Sequence, residues 1–315
     1  MNINITGFIY HKAAEDFSDC CDRYAINKEN NKFSIADGVS KSFFPNIWAE
    51  LLVNKYVNTA EQLDLKESEI LSSLQKEWLE KVQEIVNKPE QKYFVKNHFN
   101  KGHSAAATFV GLSFLKEENG KYKWKSSALG DSFLFYVPDS IENIDEDFET
   151  KVTSLSSKKS FEFDNYPDFF ESRNQNFKGE INYKEGELKA GIFYLMTDAL
   201  AEWFIKEKET ARQEIDSWKS QNDFETRIEE LRKTTLQNDD SAILVIRIED
   251  DNKKDIHYLN HSISSIEKLI LSEESKKEQT PPAENTNPEN EGEEVSNKTT
   301  EGFIQKTINI LTGKF

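Results

Sequence analysis

Apolar and polar positions divide the chain into stretches of period two, stretches of period near 3.6, and a long polar tail. Ile3 to Tyr10 alternates loosely and predicts a strand with a bulge at Gly7. Tyr24 to Ile26 and Phe33 to Ala36 predict two further short strands, joined by the turn-rich run Asn27 to Asn31. Ile47, Leu51 and Val53 fit a helix over Asn46 to Val57, with Pro45 suited to its first turn. Ile70, Leu74, Trp78, Val82 and Ile85 form a stripe at helical spacing, which predicts a second helix over Glu67 to Asn87 with Trp78 in the core.

The period then shortens. Ser104 to Leu115 is small, β-branched and apolar, Tyr122 to Leu129 alternates, and Phe133 to Val137 is a compact apolar run. Glu117-Glu118-Asn119-Gly120 and Gly130-Asp131-Ser132 supply turns between them, so an antiparallel meander is expected. Asp139 to Ser160 reads as loop and Phe161 to Phe177 as an aromatic flap. Gly191 to Met196 predicts a buried strand ending in Thr197-Asp198. Helices are expected at Leu200–Lys206, Thr210–Trp218 and Phe224–Lys233, a central strand at Ala242–Ile248, an edge strand at Ile256–Leu259 and a closing helix at Ile263–Leu271.

From Glu273 to Glu301 the composition shifts to nine Glu against three Lys, with Asn, Thr and Pro between them. Such a segment cannot bury a core and should be disordered. This predicts a globular domain over 1–272, an acidic linker over 273–301 and a short amphipathic segment over 302–315. In that last segment Ile304, Ile308, Leu311 and Phe315 share one face. It is suited to docking a protein partner, folding back on the domain or lying on a membrane; the acidic tether argues against the membrane.

Composition narrows the function. A net charge of −17 disfavours nucleic acid as the main partner and suits divalent cations or basic protein segments. The only cysteines, Cys20 and Cys21, are adjacent and build no disulfide framework. Met1 to Tyr10 does not read as a secretory signal and no stretch reaches the length of a bilayer span, so a cytoplasmic location is expected.

Four Asp residues sit at ends of apolar strands or in the tight turns beside them: Asp37 in IADG, Asp131 in ALGDS, Asp198 in YLMTDAL and Asp239 in QNDDSAILVI. The acidic pair Glu15-Asp16 precedes the second strand. Each Asp alone suits a turn or a helix cap. Brought to one rim, several would repel one another unless cations lay between them. Oxygen-only sites of that kind suit Mg²⁺ or Mn²⁺.

The order of these blocks resembles the metal-dependent type 2C (PPM) serine/threonine protein phosphatases of bacteria, in a divergent form, over about Gly7 to Ile248. The resemblance implies an α+β fold, a four-layer αββα sandwich of two antiparallel sheets flanked by helices. It implies a protein serine/threonine phosphatase in which metal-bound water attacks a phosphomonoester on a phosphorylated protein, for instance a Ser/Thr kinase. By position, Asp37 would bridge two divalent cations and Gly38 would bind one through its carbonyl. Asp198 and Asp239 would complete the first ion's shell, Glu15 with Asp16 would hold the second, and Asp131 would help hold a third, weaker ion.

Departures from the family pattern concern the substrate phosphate. His11 stands where the family usually has Arg, with Lys12 beside it, and a His lacks the bidentate fork. Val39 follows Asp-Gly, Lys41-Ser42 replaces Gly-Gly with Lys41 as a compensating cation, and Ala199 replaces a Gly. Three rival readings stand beside this one. A phosphatase-like domain without activity would bind phosphoproteins or a kinase. A phosphatase of small molecules would share the same centre. A zinc site would draw on Cys20, Cys21, His257 and His261, whose spacing suits it poorly.

Overall fold

The structure is a computed structural model that describes residues 1–59, 68–157, 167–173, 177–250 and 255–279. In chain order the strands are β1 (Asn2–Tyr10), β2 (Arg23–Asn27), β3 (Lys32–Ala36), β4 (Ala106–Ala107), β5 (Phe109–Lys116), β6 (Tyr122–Leu129), β7 (Phe133–Pro138), β8 (Thr153–Leu155), β9 (Phe169–Glu171), β10 (Phe177–Lys178), β11 (Asn182–Glu187), β12 (Gly191–Met196), β13 (Ser241–Glu249) and β14 (His257–Ile263). The helices are α1 (Pro45–Asn58), α2 (Ser68–Val86), α3 (Tyr93–Asn100), α4 (Phe148–Lys151), α5 (Asp198–Glu207), α6 (Glu209–Ser217), α7 (Gln221–Leu231) and α8 (Ile266–Gln279).

Two main sheets hold these strands, one in the order β14-β1-β13-β12-β7-β8 and one in the order β11-β6-β5-β3-β2. Pairing is antiparallel except between β1 and β14. A small third sheet has the order β10-β9-β4.

One apolar cluster joins the two main sheets: Ile5 and Ile9 of β1 and Leu244 of β13 pack with Phe33 and Ile35 of β3 and Leu112 of β5. A second cluster joins Phe8, Phe135, Tyr194 and Ile243 to Trp203, Ile215 and Phe224 of α5, α6 and α7. A third joins Ala36, Phe109 and Leu129 to Trp48 and Leu52 of α1 and Trp78 of α2. Period two explains this partition, because alternate residues of one strand serve different clusters. Phe33 and Ile35 face the shared core, whereas Ser34 turns outward and its hydroxyl donates to the Val53 carbonyl of α1 at 3.0 Å.

Several expectations change on folding. The meander does not form: β5 and β6 are a hairpin, but β7 pairs with β12 in the other sheet. The chain crosses between sheets at Gly130, whose φ is +96°, and a Cβ there would lie 2.5 Å from Thr108 Cβ. Gly7 is no bulge, since it pairs in register with Leu244 and Ile263, and the shift in β1 lies between Ile3 and Asn4. The stretch read as loop, 139–160, contains α4 and β8.

Two elements fall outside the expected set. Strand β11, NYKEGE, is a largely exposed edge. Helix α3 buries only Val95 and leaves Tyr93 83% exposed. Helix α8 starts at Ile266 rather than Ile263 and runs to Gln279, past the expected domain end at 272. There Glu273 accepts a hydrogen bond from the Phe17 amide at 3.0 Å, and Lys277 pairs with Asp16 at 2.5 Å, which gives the added turns a surface to pack on. The rest of the expected linker, the segment 302–315 and residues 161–166 and 174–176 of the expected flap lie outside the described residues.

Candidate active site

Strand register gathers the acidic residues. The β2–β3 hairpin pairs Arg23 with Ala36, which sets Asp22 and Asp37 opposite each other just beyond the last pair. The β1–β13 pairing ends at Tyr10 and Ser241, which sets His11 and Lys12 against Asp240 and Asp239. Asp198 begins α5 directly after β12, and Asp131 sits in the crossing from β6 to β7. The ends of both sheets thus point six carboxylates at one region.

Hydrogen bonds fix the deeper members. Asp22 is fully buried; its Oδ2 accepts from the Thr197 hydroxyl at 2.8 Å, and its Oδ1 is buried without a hydrogen-bond partner. Asp240, 4% exposed, accepts from the Cys21 amide at 2.7 Å and the Lys12 amide at 2.9 Å. Asp131 is also buried, at 3% exposure. Asp37, Asp198 and Asp239 keep partial exposure, so the cluster meets solvent on their side. The backbone holds Asp37 at the β3 end: its carbonyl accepts from Thr108 N at 2.9 Å, and Gly38 bridges to Ala107. Ala199 follows Asp198 within a helix whose φ is ordinary, so the absent glycine costs no strain.

Electrostatics confirm that these groups act on one another. Burial raises the Asp37 carboxyl well above its usual range, and Asp198, Asp22, Asp131 and Asp239 raise it further. Burial, Asp240 and Asp198 push Asp22 up in the same way. Asp198 is pushed up to about 8, by burial and then by Asp131 and Asp239. Asp240 is raised by burial against the pull of its two backbone hydrogen bonds.

Of the residues singled out from sequence, Asp37, Gly38, Asp131, Asp198 and Asp239 come together. Glu15 and Asp16 are each paired with a lysine, Glu15 with Lys12 at 3.3 Å and Asp16 with Lys277. His11 turns elsewhere: it is 9% exposed, packs tilted against the Tyr10 ring and edge-on against Phe17, and has Nε2 3.7 Å from Glu273. Lys12 holds the facing position instead. Its ammonium donates to Ser40 Oγ at 3.3 Å and feels Asp240, Glu15 and Asp239, which raise its pKa against burial. Lys41 is exposed on the loop beyond. Asp22, Asp240 and Lys12 are the members that sequence patterning passed over.

The donor set suits a hard divalent cation, being all oxygen, partly buried and strained by like charge that a cation would relieve. Among the described residues, no three Asp, Glu, His or Cys side chains are arranged to hold a metal ion as they stand. The zinc reading also gains nothing, because Cys20 and Cys21 are both buried and raised in pKa by burial.

No protein-family model and no curated protein matches the sequence. Solved structures do. PppA, a key regulatory component of T6SS in Pseudomonas aeruginosa, matches with a TM-score of 0.51 over 78% of this chain and 98% of that one, at 13% identity. The fold is that of the bacterial PPM-type phosphatases. Weaker matches are the serine/threonine phosphatase Stp1 from Staphylococcus aureus (TM-score 0.48, 13% identity, 79% of this chain and 96% of that one) and a bacterial serine phosphatase (TM-score 0.47, 13% identity, 79% and 99%). At such identities the PPM likeness speaks for the fold alone. Among the described residues, no helix is long and apolar enough to cross a membrane.

Proposed function

We propose that the chain is a divalent-cation-dependent phosphomonoesterase acting on phosphoserine or phosphothreonine of a partner protein. The observation that carries this reading is the cluster of Asp22, Asp37, Asp131, Asp198, Asp239 and Asp240 at the ends of both sheets, within which burial and neighbouring carboxylates raise Asp22, Asp37, Asp198 and Asp240. In this reading the three apolar clusters fill the three interfaces between the layers of an αββα sandwich, and the site lies where both sheets end. Asp37, Asp198, Asp239 and Asp22 hold two Mg²⁺ or Mn²⁺ ions, with Gly38 offering its carbonyl and Asp131 assisting a third. Bound there, such ions neutralise phosphoryl charge and activate water. Lys12 takes the role of substrate-phosphate cation that sequence comparison gave to His11. Its ammonium already stands at the rim and is a point charge rather than a fork.

A second reading is a phosphatase-like domain that binds phosphoproteins without hydrolysis. The lack of a ready-made metal arrangement among the described residues favours it. One assay separates the two: hydrolysis of p-nitrophenyl phosphate and a phosphothreonine peptide with Mn²⁺ or Mg²⁺, by wild type, Asp37→Asn and Asp198→Asn. Activity that needs the cation and is lost in both variants is expected. A wild type without turnover under any cation gives the second reading, and turnover that survives both substitutions removes the proposed centre.

A further inference from the structure

Helix α3 carries an aromatic strip beside the carboxylate rim. Val95 is the residue this helix buries, and the Phe99 ring packs against the Arg173 guanidinium at 4.7 Å. Phe94, His98 and Lys101 share a neighbouring face at helical spacing. Ring contacts carry that face off the helix. His98 meets Phe94 edge-on at 6.3 Å and stacks on His103 at 4.5 Å, and the two imidazoles meet Phe43 at 6.3 and 6.5 Å. Phe94 is 54% exposed and Tyr93 beside it 83%, so the strip starts in solvent rather than in the core.

Its other end reaches the candidate site. Phe43 belongs to the loop that leaves β3 through Asp37 and Gly38, and this loop is bound along the segment that follows α3. The Val39 and Phe43 amides donate to the Ala106 and Ser104 carbonyls at 2.9 Å, and Ser42 Oγ accepts from the Ala106 amide at 3.0 Å. Ser40 of the same loop accepts from the Lys12 ammonium at 3.3 Å. A segment lying over Phe94 and Phe43 is thereby directed at Lys12 and Asp37.

The charge along the strip is the reverse of the chain's. Lys92, with its ammonium 5.9 Å from the Phe94 ring centroid, is exposed, as are Lys101 and Lys41. No Asp or Glu occurs in 91–104 or in 38–46, although the chain as a whole carries −17. Rings set among lysines suit an acidic partner with apolar side chains. A nucleic acid would also meet rings and lysines here, but the remainder of the chain would repel it.

We propose that this strip docks the residues flanking the phosphoserine or phosphothreonine of a phosphoprotein substrate, and that those residues are acidic and apolar. Lys92, Lys101 and Lys41 pair with the carboxylates, and Phe94 and Phe43 cover the apolar side chains. The inference rests on the phosphatase reading of the neighbouring centre and adds a substrate class to it.

Two fluorescein-labelled peptides with a hydrolysis-resistant phosphonate analogue of phosphoserine are the probes, one flanked by Glu and Leu, the other with Lys in place of each Glu. Fluorescence anisotropy with the full chain and Mn²⁺ should give the acidic peptide about tenfold tighter binding, the scale of a few exposed ion pairs. Salt at about 0.5 M should erase most of that difference. Phe94→Ala should weaken the acidic peptide about fivefold, and Lys92→Glu combined with Lys101→Glu should reverse the preference, with circular dichroism unchanged in each. Equal binding of the two peptides overturns the proposal and leaves the strip to the chain's own acidic residues beyond Gln279 or to a second copy. A preference that survives the double charge reversal overturns it too, as does a short oligothymidylate that displaces the acidic peptide better than its unlabelled twin. Turnover of p-nitrophenyl phosphate, which has no flanking residues, tests the phosphatase reading separately. A wild type that prefers the acidic peptide without such turnover keeps the docking strip and loses the enzyme, and turnover without the preference does the reverse.

Discussion

The two ends of β3 hold side chains of opposite charge. At one end Asp37 faces Asp22, Asp131, Asp198 and Asp239, and at the other Lys32 lies under Tyr56 beside Lys125. Burial moves each group toward its neutral form, raising Asp37 and lowering Lys32. The difference lies in the neighbours. Around Asp37 they share its sign and add to the penalty, so that end resists deprotonation until a cation arrives. Around Lys32 the Thr59 carbonyl and the Tyr56 ring solvate the ammonium.

The contrast breaks most sharply by mutation at the acidic end. Asp37→Asn should cut cation-dependent turnover of p-nitrophenyl phosphate by about 10²–10³, the usual scale for removing one electrostatic stabiliser. Asp22→Asn should fall in the same range while Glu15→Gln stays near wild type. The reverse order in kcat would return the site to the N-terminal acidic pair. Lys12→Ala should raise KM about tenfold with a smaller change in kcat, as expected when one charged phosphate contact is lost. His11→Ala should leave KM closer to wild type, and steady-state kinetics on the pair decide between them.

Protonation sharpens the comparison further. Asp198, raised to about 8 in the fold, contributes stability that is complete below its unfolded pKa near 4 and is lost as pH rises through about 8. Chelated protein should therefore lose Tm across that window relative to Asp198→Asn, and Mg²⁺ should restore most at its upper end. A pH profile parallel in the two proteins would rule out this assignment. The smallest effect belongs to the loop beside the site: Glu273→Ala removes the acceptor for the Phe17 amide and should cost about 1–2 kcal/mol, readable by urea denaturation.

Much of the scaffold was legible because its strands alternate and its helices carry stripes. Gly191–Met196 and Tyr122–Leu129 have the expected bounds. Edge strand β11 and helix α3 were not, since neither needs an apolar face where it lies. At the site, Asp37 and Asp198 stood out as carboxylates at the ends of apolar runs. Asp22 did not, because the vicinal cysteines before it hide the start of a five-residue strand. Folding the Asn27–Asn31 turn into a hairpin would have found it, for register alone sets Asp22 across from Asp37. Glu15 and Lys12 could not be sorted by pattern. Their roles follow from where β1 stops against β13, a contact between residues some 230 positions apart whose register no local signal encodes.

That pairing has a consequence for how the protein is made. Of the described strands β1 is synthesised first, yet its sheet partners are β13 and β14, the last two of them. At a translation rate of about 5–20 residues per second, β1 waits roughly 10–50 s with both edges unpaired. The Lys12 loop waits longer still, until Glu273 and Lys277 of α8 emerge to hold Phe17 and Asp16. A nascent chain therefore carries an apolar strand without a sheet, and needs shelter from aggregation before it can assemble the carboxylate rim.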